Sequence, residues 1–382
     1  MTKRIRTAVL GTGFMGRVHL EALRRVEDVD VAAIAGRNAA AAQKLGSAFA
    51  IPHSTPDAIL RDPTIDAVHI CTPNAQHFPM AKEALLAGKH VLCEKPLAVS
   101  VAEAEELAAL AAQKELRNCV CHNLRYYPMV QQMRQMRIDG ALGEILVVQG
   151  TYSQDWLLYP TDWNWRVDSH AGGPSRCMAD IGSHWFDMAE HLTGLRVTSL
   201  SADLNTVHKT RQQPKGSVET FANKMLSPAD IIETPIDTED FGAVVFRMGG
   251  RARGAMTASQ VSAGRKNRLS IEIYGTQAGV AWDQERPDEL WIGHRNSANC
   301  LIIKDPSLLN PAARTFADLP GGHSEGYDDT FKQVFRRFYA SIAEPEAPRD
   351  YPHFEDGLRQ MVILGAELES SHKRSWIDLP AV

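Results

Sequence analysis

Three groups of residues have the types and spacing for chemistry. Gly11-Thr12-Gly13-Phe14-Met15-Gly16 follows one apolar run and opens a helical one. In that context Gly11 permits a tight turn, Gly13 lets the backbone reach a pyrophosphate, and Gly16 lets helix and strand pack closely. Phosphates then rest at the helix amino terminus, where free N–H groups and the dipole favour anions. The second group is Asp180 and His184, four residues apart and so on one face of a helix. An imidazole titrates near neutrality and suits a proton acceptor, while the carboxylate orients it and favours its cation. The third is Lys95, whose ammonium can hydrogen-bond a reacting oxygen and stabilise negative charge developing there. A dinucleotide loop, a base and such a cation are what removal of a hydride from a secondary alcohol requires. Taken singly, each has a plainer reading: a strand–helix turn that binds nothing, or a helical Asp/His pair that is surface or capping detail.

The elements that must position these groups change character near residue 125. Up to there, apolar runs at Thr7–Leu10, Val29–Ala35, Asp66–Cys71, His90–Cys93 and Asn118–Cys121 alternate with helical stretches. Ser100 caps one helix, with Glu103 in capping-box position. Buried strands separated by helices predict a parallel sheet covered on both faces, with Lys95 at a strand's carboxyl end, where ligands bind in such folds. Beyond residue 125, a helix over 129–138, a strand over 145–152 and a helix over about 179–192 precede several strands with no helices between them. That predicts an α+β domain with a large open mixed or antiparallel sheet. The expected division is 1–125 for dinucleotide binding and 126–382 for substrate binding and oligomerisation, with 208–238 as a polar, poorly patterned insertion.

Composition excludes several classes. With 44% hydrophobic and 23% charged residues the chain is globular rather than disordered. A net charge of −5 is too mild for a nucleic-acid surface, and no apolar run reaches the roughly 18 residues of a membrane span. The apolar segment after the charged start runs at once into the glycine loop with no small-residue cleavage site, which argues against a secretory signal. Six cysteines without metal-site spacing are expected as free thiols in the cytoplasm, and no metal is expected.

The glycine loop, Glu94-Lys95-Pro96 and Asp180-x-Gly182-x-His184, in this order, resemble the Gfo/Idh/MocA oxidoreductases. The likeness covers nearly the whole chain. It takes in Thr72-Pro73-Asn74 with His77, Asn123-Leu124-Arg125 with Pro128 at the domain junction, and Gly172-Gly173. It implies a Rossmann domain followed by an α/β domain whose open sheet often mediates oligomerisation, here a homodimer or homotetramer. It also implies NAD(P)-dependent oxidation or reduction of sugars, cyclitols and related polyols, with Lys95, Asp180 and His184 catalytic. The cofactor positions carried over are residues 11–16, Gly36, Arg37, Asn38, Cys71, Thr72, Pro73, Asn74, His77, Glu94, Lys95 and Asn123.

The acid that usually meets the adenosine ribose about 20 residues beyond the loop is missing. Ala35-Gly36-Arg37-Asn38 stands there instead. Arg37 either pairs with a 2′-phosphate or stacks on adenine with NAD bound, and the charge argument leans toward NADP. Residues 154–166 place Trp156, Trp163 and Trp165 among amides, carboxylates and Arg166. Flat apolar faces with polar neighbours suit a pyranose, and the stretch is similar to sugar dehydrogenases of the family, including those acting on levoglucosan-like substrates. At least one tryptophan is expected only to anchor the loop on the core, with Trp156 and Trp163 equal candidates. Tyr152, Trp163, Trp165, Arg166, Asp180, His184 and Lys95 are the substrate candidates, with Arg125 either among them or bracing the junction. Two further classes stay open: an NAD-dependent glycosidase of the same family, and a non-catalytic dinucleotide sensor.

Overall fold

The computed structural model describes residues 4–215 and 231–380. Contacts divide the chain into two units. One takes in residues up to Asn123 with His170–Gly173 and Asp328–Met361; the other takes in Leu124–Ser169, Pro174–Tyr327 and the chain from Val362 on.

In the first unit the apolar runs form β1 (Ile5–Leu10), β2 (Val29–Ala35), β4 (Ala67–Ile70), β5 (His90–Cys93) and β6 (Asn118–Val120). A two-residue β3 (His53–Ser54) completes a six-stranded sheet of order β3-β2-β1-β4-β5-β6. Every pairing is parallel. This is the doubly wound order, and the reversal of winding between β1 and β4 opens the crevice in which such sheets bind ligands. β4 is buried at all four positions, and apart from His69 its side chains are apolar. The helix Tyr327–Ala343 lays Phe331, Phe335, Phe338 and Tyr339, all buried, against this unit.

The second unit holds β7 (Ile145–Ser153), β8 (Val197–Asn205), β9 (Thr210–Pro214), β10 (Ile231–Pro235), β11 (Phe241–Met248), β12 (Arg253–Ser259), β13 (Arg268–Gly275), β14 (Gly279–Asp283), β15 (Glu289–Gly293), β16 (Cys300–Ile303) and β17 (Ile377–Asp378). Nine of them form a mixed sheet of order β16-β15-β14-β13-β7-β12-β11-β8-β17, in which only the β7–β12 pair is parallel. One face is buried under the helix Ser183–Thr193. Trp185 is fully buried there and donates from Nε1 to the Ser270 carbonyl at 3.0 Å. A Cβ on Gly150 would stand 2.9 Å from that indole nitrogen, so β7 needs glycine for the helix to seat. The other face leaves Val147, Val245, Leu301 and Ile303 exposed.

The described ends of the insertion 208–238 carry strands that its sequence does not announce. β9 and β10 pair antiparallel within it, joined across the ladder by Thr234 Oγ1 donating to Gln213 Oε1 at 2.9 Å. Backbone pairing and cross-strand polar bonds replace the apolar alternation that would have announced these strands. Residues 216–230 of the insertion lie outside the described residues. All six cysteines are free, five of them buried. Among the described residues no helix is long and apolar enough to cross a membrane.

Candidate functional site

In the first unit the glycine loop joins β1 to the helix Phe14–Leu23, with Gly13 at the N-cap position. A Cβ on Gly11 would meet the Cys71 carbonyl oxygen at 2.4 Å, and φ there is +126°. A Cβ on Gly16 would stand 2.0 Å from the Gly11 carbonyl oxygen. A Cβ on Gly13 would meet nothing within 4 Å. The protein's own packing thus requires the outer glycines, whereas the middle one leaves space for a ligand. Thr72 Oγ1, just past β4, is buried with no hydrogen-bond partner, which also suits a polar ligand at this edge. These two observations fit a dinucleotide.

Around that edge the other expected cofactor positions divide into exposed and structural groups. Thr12 and Met15 are half-buried, Phe14 is 46% exposed and Arg37 is exposed. Gly36 packs on Thr12, whose Cγ2 would lie 2.7 Å from an added Cβ. Asn38 caps the helix Ala39–Phe49 by accepting from the Ala41 N–H. Asn74 Nδ2 donates to the Gly172 carbonyl at 2.9 Å, and Asn123 Nδ2 to Thr330 Oγ1 at 2.7 Å. Pro73 is exposed and Cys71 buried, with burial pushing its thiol well up. His77 is buried with Nδ1 2.7 Å from the Pro96 carbonyl and Nε2 2.9 Å from that of Thr72, so it clamps two loops together. Burial lowers its pKa against the opposing pull of those carbonyls.

Lys95 follows β5 and is half-buried, with a cis peptide bond to Pro96. The preceding Glu94 is 5% exposed and lies 2.9 Å from His19 Nε2. Burial raises its pKa, but the His19 bond and the charges of His19 and Lys95 outweigh this and hold it below the usual range. His19 Nδ1 faces His69 Nδ1 at 2.9 Å, and His69 Nε2 faces the Tyr339 hydroxyl at 2.7 Å. Ligand-type atoms of His19, Glu94 and Cys121 all lie within 4.8 Å of one another, and this hydrogen-bonded chain accounts for their clustering.

In the second unit Asp180 lies in a π-helical turn, Met178–Gly182, which leads into the helix Ser183–Thr193 carrying His184. The sequence predicts an α-helix through both residues. The wider turn starts where Glu239 Oε1 accepts from the N–H groups of Arg176 (3.0 Å) and Met178 (2.9 Å), fixing the segment's amino end. Such π turns recur at functional sites. The Asp180 carboxylate accepts from Arg166 Nε at 3.2 Å and from Gln260 Nε2 at 2.9 Å. His184 is 7% exposed, its ring centroid 6.4 Å from that of Tyr152. Tyr152 is itself buried, donates to Asn267 Oδ1 at 2.8 Å and has its pKa pushed well up by burial.

Trp156 and Trp163 both pack on the buried cluster of Leu157, Val167 and Ile236. Both rings therefore anchor the loop, where at least one was expected to. Trp165 stacks with the Arg166 guanidinium, 4.4 Å from its centroid. Arg125 forms a bidentate ion pair with buried Asp187, so its guanidinium braces the helix one turn beyond His184.

Residues 5–122 match the family described as "Oxidoreductase family, NAD-binding Rossmann fold", and residues 130–281 match the GFO/IDH/MocA C-terminal domain. The chain belongs to the Gfo/Idh/MocA oxidoreductases. It is 29% identical to a levoglucosan dehydrogenase of Pseudarthrobacter phenanthrenivorans over 396 aligned residues, covering 100% of this chain and 99% of the relative. A levoglucosan dehydrogenase solved with NADH and levoglucosan superposes with a TM-score of 0.88 at 29% identity, over 99% of this chain and 100% of that one. An oxidoreductase domain protein from Kribbella flavida gives a TM-score of 0.90 at 30% identity, with the same coverage. The Gfo/Idh/MocA motifs in the sequence do not include Gln260, Arg176 or Asn267. These come from separate strands and loops, and no spacing marks them.

Proposed function

We propose that this chain transfers a hydride between NAD(P) and a secondary hydroxyl of a sugar, anhydrosugar or cyclitol. The observation that carries the reading is the Asp180 carboxylate, held at both oxygens by Arg166 and Gln260 at the start of the helix bearing His184. A carboxylate so fixed has the charge and orientation to favour the imidazolium that forms when His184 takes a proton from the hydroxyl. The nicotinamide, when bound, supplies the hydride acceptor. Lys95 donates to the reacting oxygen, and Trp165 offers a flat face to a sugar ring. The levoglucosan dehydrogenase relative supports a pyranose-like substrate. Dinucleotide binding belongs to the first 125 residues, and substrate binding and oligomerisation to the remainder.

Exposed Arg37, with glycine before it where an acid would repel a 2′-phosphate, supports a preference for NADP. The open face of the nine-stranded sheet supports pairing with a second copy of this chain as a dimer or tetramer. It carries exposed Val147, Val245, Leu301 and Ile303, beside a groove of about 640 Å³ lined by Arg268, Glu272, Asp283 and Trp291. Apolar groups mixed with both charge signs suit an isologous contact, in which one patch meets its own copy about a two-fold axis. Six free cysteines support a reducing, cytoplasmic setting.

The test is reduction of NAD and NADP by a panel of pyranoses, anhydrosugars and inositols, followed by the pH profile of the best substrate. With His184 as base, kcat/KM for oxidation rises with pH as the imidazole loses its proton. His184→Ala lowers turnover by roughly 10²–10⁴-fold while cofactor binding persists. A His184→Ala profile that keeps the parent ionisation with a small rate loss would make His184 a positioning residue and move the base to Lys95. Turnover of an aryl glycoside without added cofactor would favour the glycosidase instead.

A further inference from the structure

We propose that Gln260 is the positioning residue that fixes Asp180 in its working orientation and charge state, at the end of a line of hydrogen bonds starting at the buried Arg176 guanidinium. The proposal rests on the role given to Asp180 above. Gln260 follows β12 and is fully buried, so it acts on Asp180 rather than on substrate. Its backbone is set first: its N–H donates to the Asp240 carbonyl at 3.0 Å, and its own carbonyl accepts from Leu157 at 3.2 Å. Arg176, 1% exposed, is held by Asp240 Oδ1 and by Thr238 Oγ1 at 3.2 Å, and it donates from Nη1 to Gln260 Oε1 at 3.2 Å.

A guanidinium has donors and no acceptor, so that bond dictates which end of the amide is oxygen. The NH₂ end must then face Asp180, where Nε2 donates to Oδ2 at 2.9 Å. An N–H aimed at Oδ2 opposes a proton on that oxygen, and Arg166 Nε does the same at Oδ1. Asp180 is thereby kept as the carboxylate that His184 needs, before any ligand arrives. Other titratable or charged groups near this pair are Cys177, Tyr152, Glu239 and Asp240.

The experiment compares Gln260→Glu, Gln260→Asn and Asp180→Asn with the parent, using kcat and KM across pH, NADH titration and thermal unfolding. Gln260→Glu keeps the side chain's size and its acceptor toward Arg176, but sets an oxygen against Asp180 Oδ2. Two carboxyl groups at that spacing share one proton, which restores the donation only while it is held. Its kcat/KM is expected to rise as in the parent and then fall along a new alkaline limb, by roughly 10–100-fold, the worth of one charge-assisted hydrogen bond. Gln260→Asn withdraws both amide ends by one methylene. It is expected to lower kcat roughly 10-fold at every pH, with KM and NADH affinity unchanged.

If both Gln260 variants bind NADH and keep the parent's kcat and pH profile, the proposal is overturned. Should Gln260→Glu fail to fold, Gln260→Asn decides alone, and an unaltered kcat sinks it. Asp180→Asn separates the two levels of argument. Parent-like turnover there removes the role of Asp180 itself, whereas a damaged Asp180→Asn beside parent-like Gln260 variants removes only the present proposal.

Discussion

The glycine loop offers a clean separation of what the fold needs from what a ligand needs, through Gly13→Ala and Gly16→Ala. Gly13 has φ −81° and ψ −165°, a conformation any residue adopts, and an added Cβ meets nothing within 4 Å. Alanine there gains about 0.4–1 kcal/mol from a less flexible unfolded chain. It loses a comparable amount, on the order of 0.5–1 kcal/mol, because alanine is the poorer N-cap. The two nearly cancel, so Tm without cofactor should stay close to the parent's. The new methyl, however, occupies the approach of a pyrophosphate to the helix amino terminus. Displacing that group costs at least one charge-assisted hydrogen bond, about 1.5–3 kcal/mol, or roughly 10–100-fold in affinity. Gly16→Ala does the reverse. Its Cβ falls 2.0 Å from the Gly11 carbonyl oxygen, a backbone atom, and relieving that overlap costs about 1–3 kcal/mol or more of stability. Thermal unfolding without ligand, paired with NADH and NADPH titrations, reads both quantities. The reasoning fails if Gly13→Ala binds both dinucleotides like the parent, or if it loses as much stability as Gly16→Ala.

Arg37→Ala should weaken NADPH binding by roughly 10–100-fold and leave NADH binding unchanged, and a parent that already prefers NADH strongly would contradict the charge argument at this loop. It is a cleaner probe than Gly36→Asp, whose Cβ would press on Thr12 within the loop itself. Trp165→Ala should raise KM for the sugar more than it lowers kcat; a dominant kcat loss would instead assign the ring to holding Arg166 on Asp180. Burial holds the pKa of His69 well below its ordinary value, assisted by the nearby His19 charge. Below about pH 6.5 the unfolded chain therefore takes up a proton that the folded chain refuses, and stability is lost as pH falls through that value. Tm should drop between pH 7.5 and 5.5, and His69→Asn should lower Tm at pH 7.5 yet flatten that slope.

The parallel sheet was legible because its strands are short apolar runs stopped by glycine, proline or asparagine, with Ala67–Ile70 buried at every position. β9 and β10 were not, since Thr-Arg-Gln-Gln-Pro and Ile-Ile-Glu-Thr-Pro show no alternation and hold together by ladder and cross-strand bonds. The two-residue strands β3 and β17 carry too few side chains for any pattern. Among the site residues, spacing revealed Asp180 and His184 as neighbours but not the π turn between them. That turn is set by Glu239, some sixty residues away in sequence, accepting from backbone groups at its start. Trp156 and Trp163 could not be told apart in sequence because both rings suit a core or a sugar equally. What decides is the cluster of Leu157, Val167 and Ile236, whose last member arrives from the insertion.

A common physical device runs through both units: Lys95, Trp165, Arg166 and Asp180 are half-buried and His184 is buried, and buried ionic or amide side chains hold the segments that carry them. Lys95 follows a glutamate kept ionised by His19, which sits on the same helix whose amino terminus faces the glycine loop. The loops flanking Lys95 are further clamped by His77 between two carbonyls. Asp180 is fixed by Gln260 and Arg166, and His184 rides on a helix braced by Arg125 and Asp187 one turn later. Buried ion pairs and amides contribute little net stability, because desolvation consumes most of their Coulombic gain. Their value is geometric. Dipoles fixed before substrate arrives need no reorganisation as charge develops, which is how electrostatic catalysis gains most of its effect. A sequence motif can record the group that reacts, because its chemistry demands one residue type. The groups that aim it are drawn from whatever strands the fold brings near, and so leave no spacing to read.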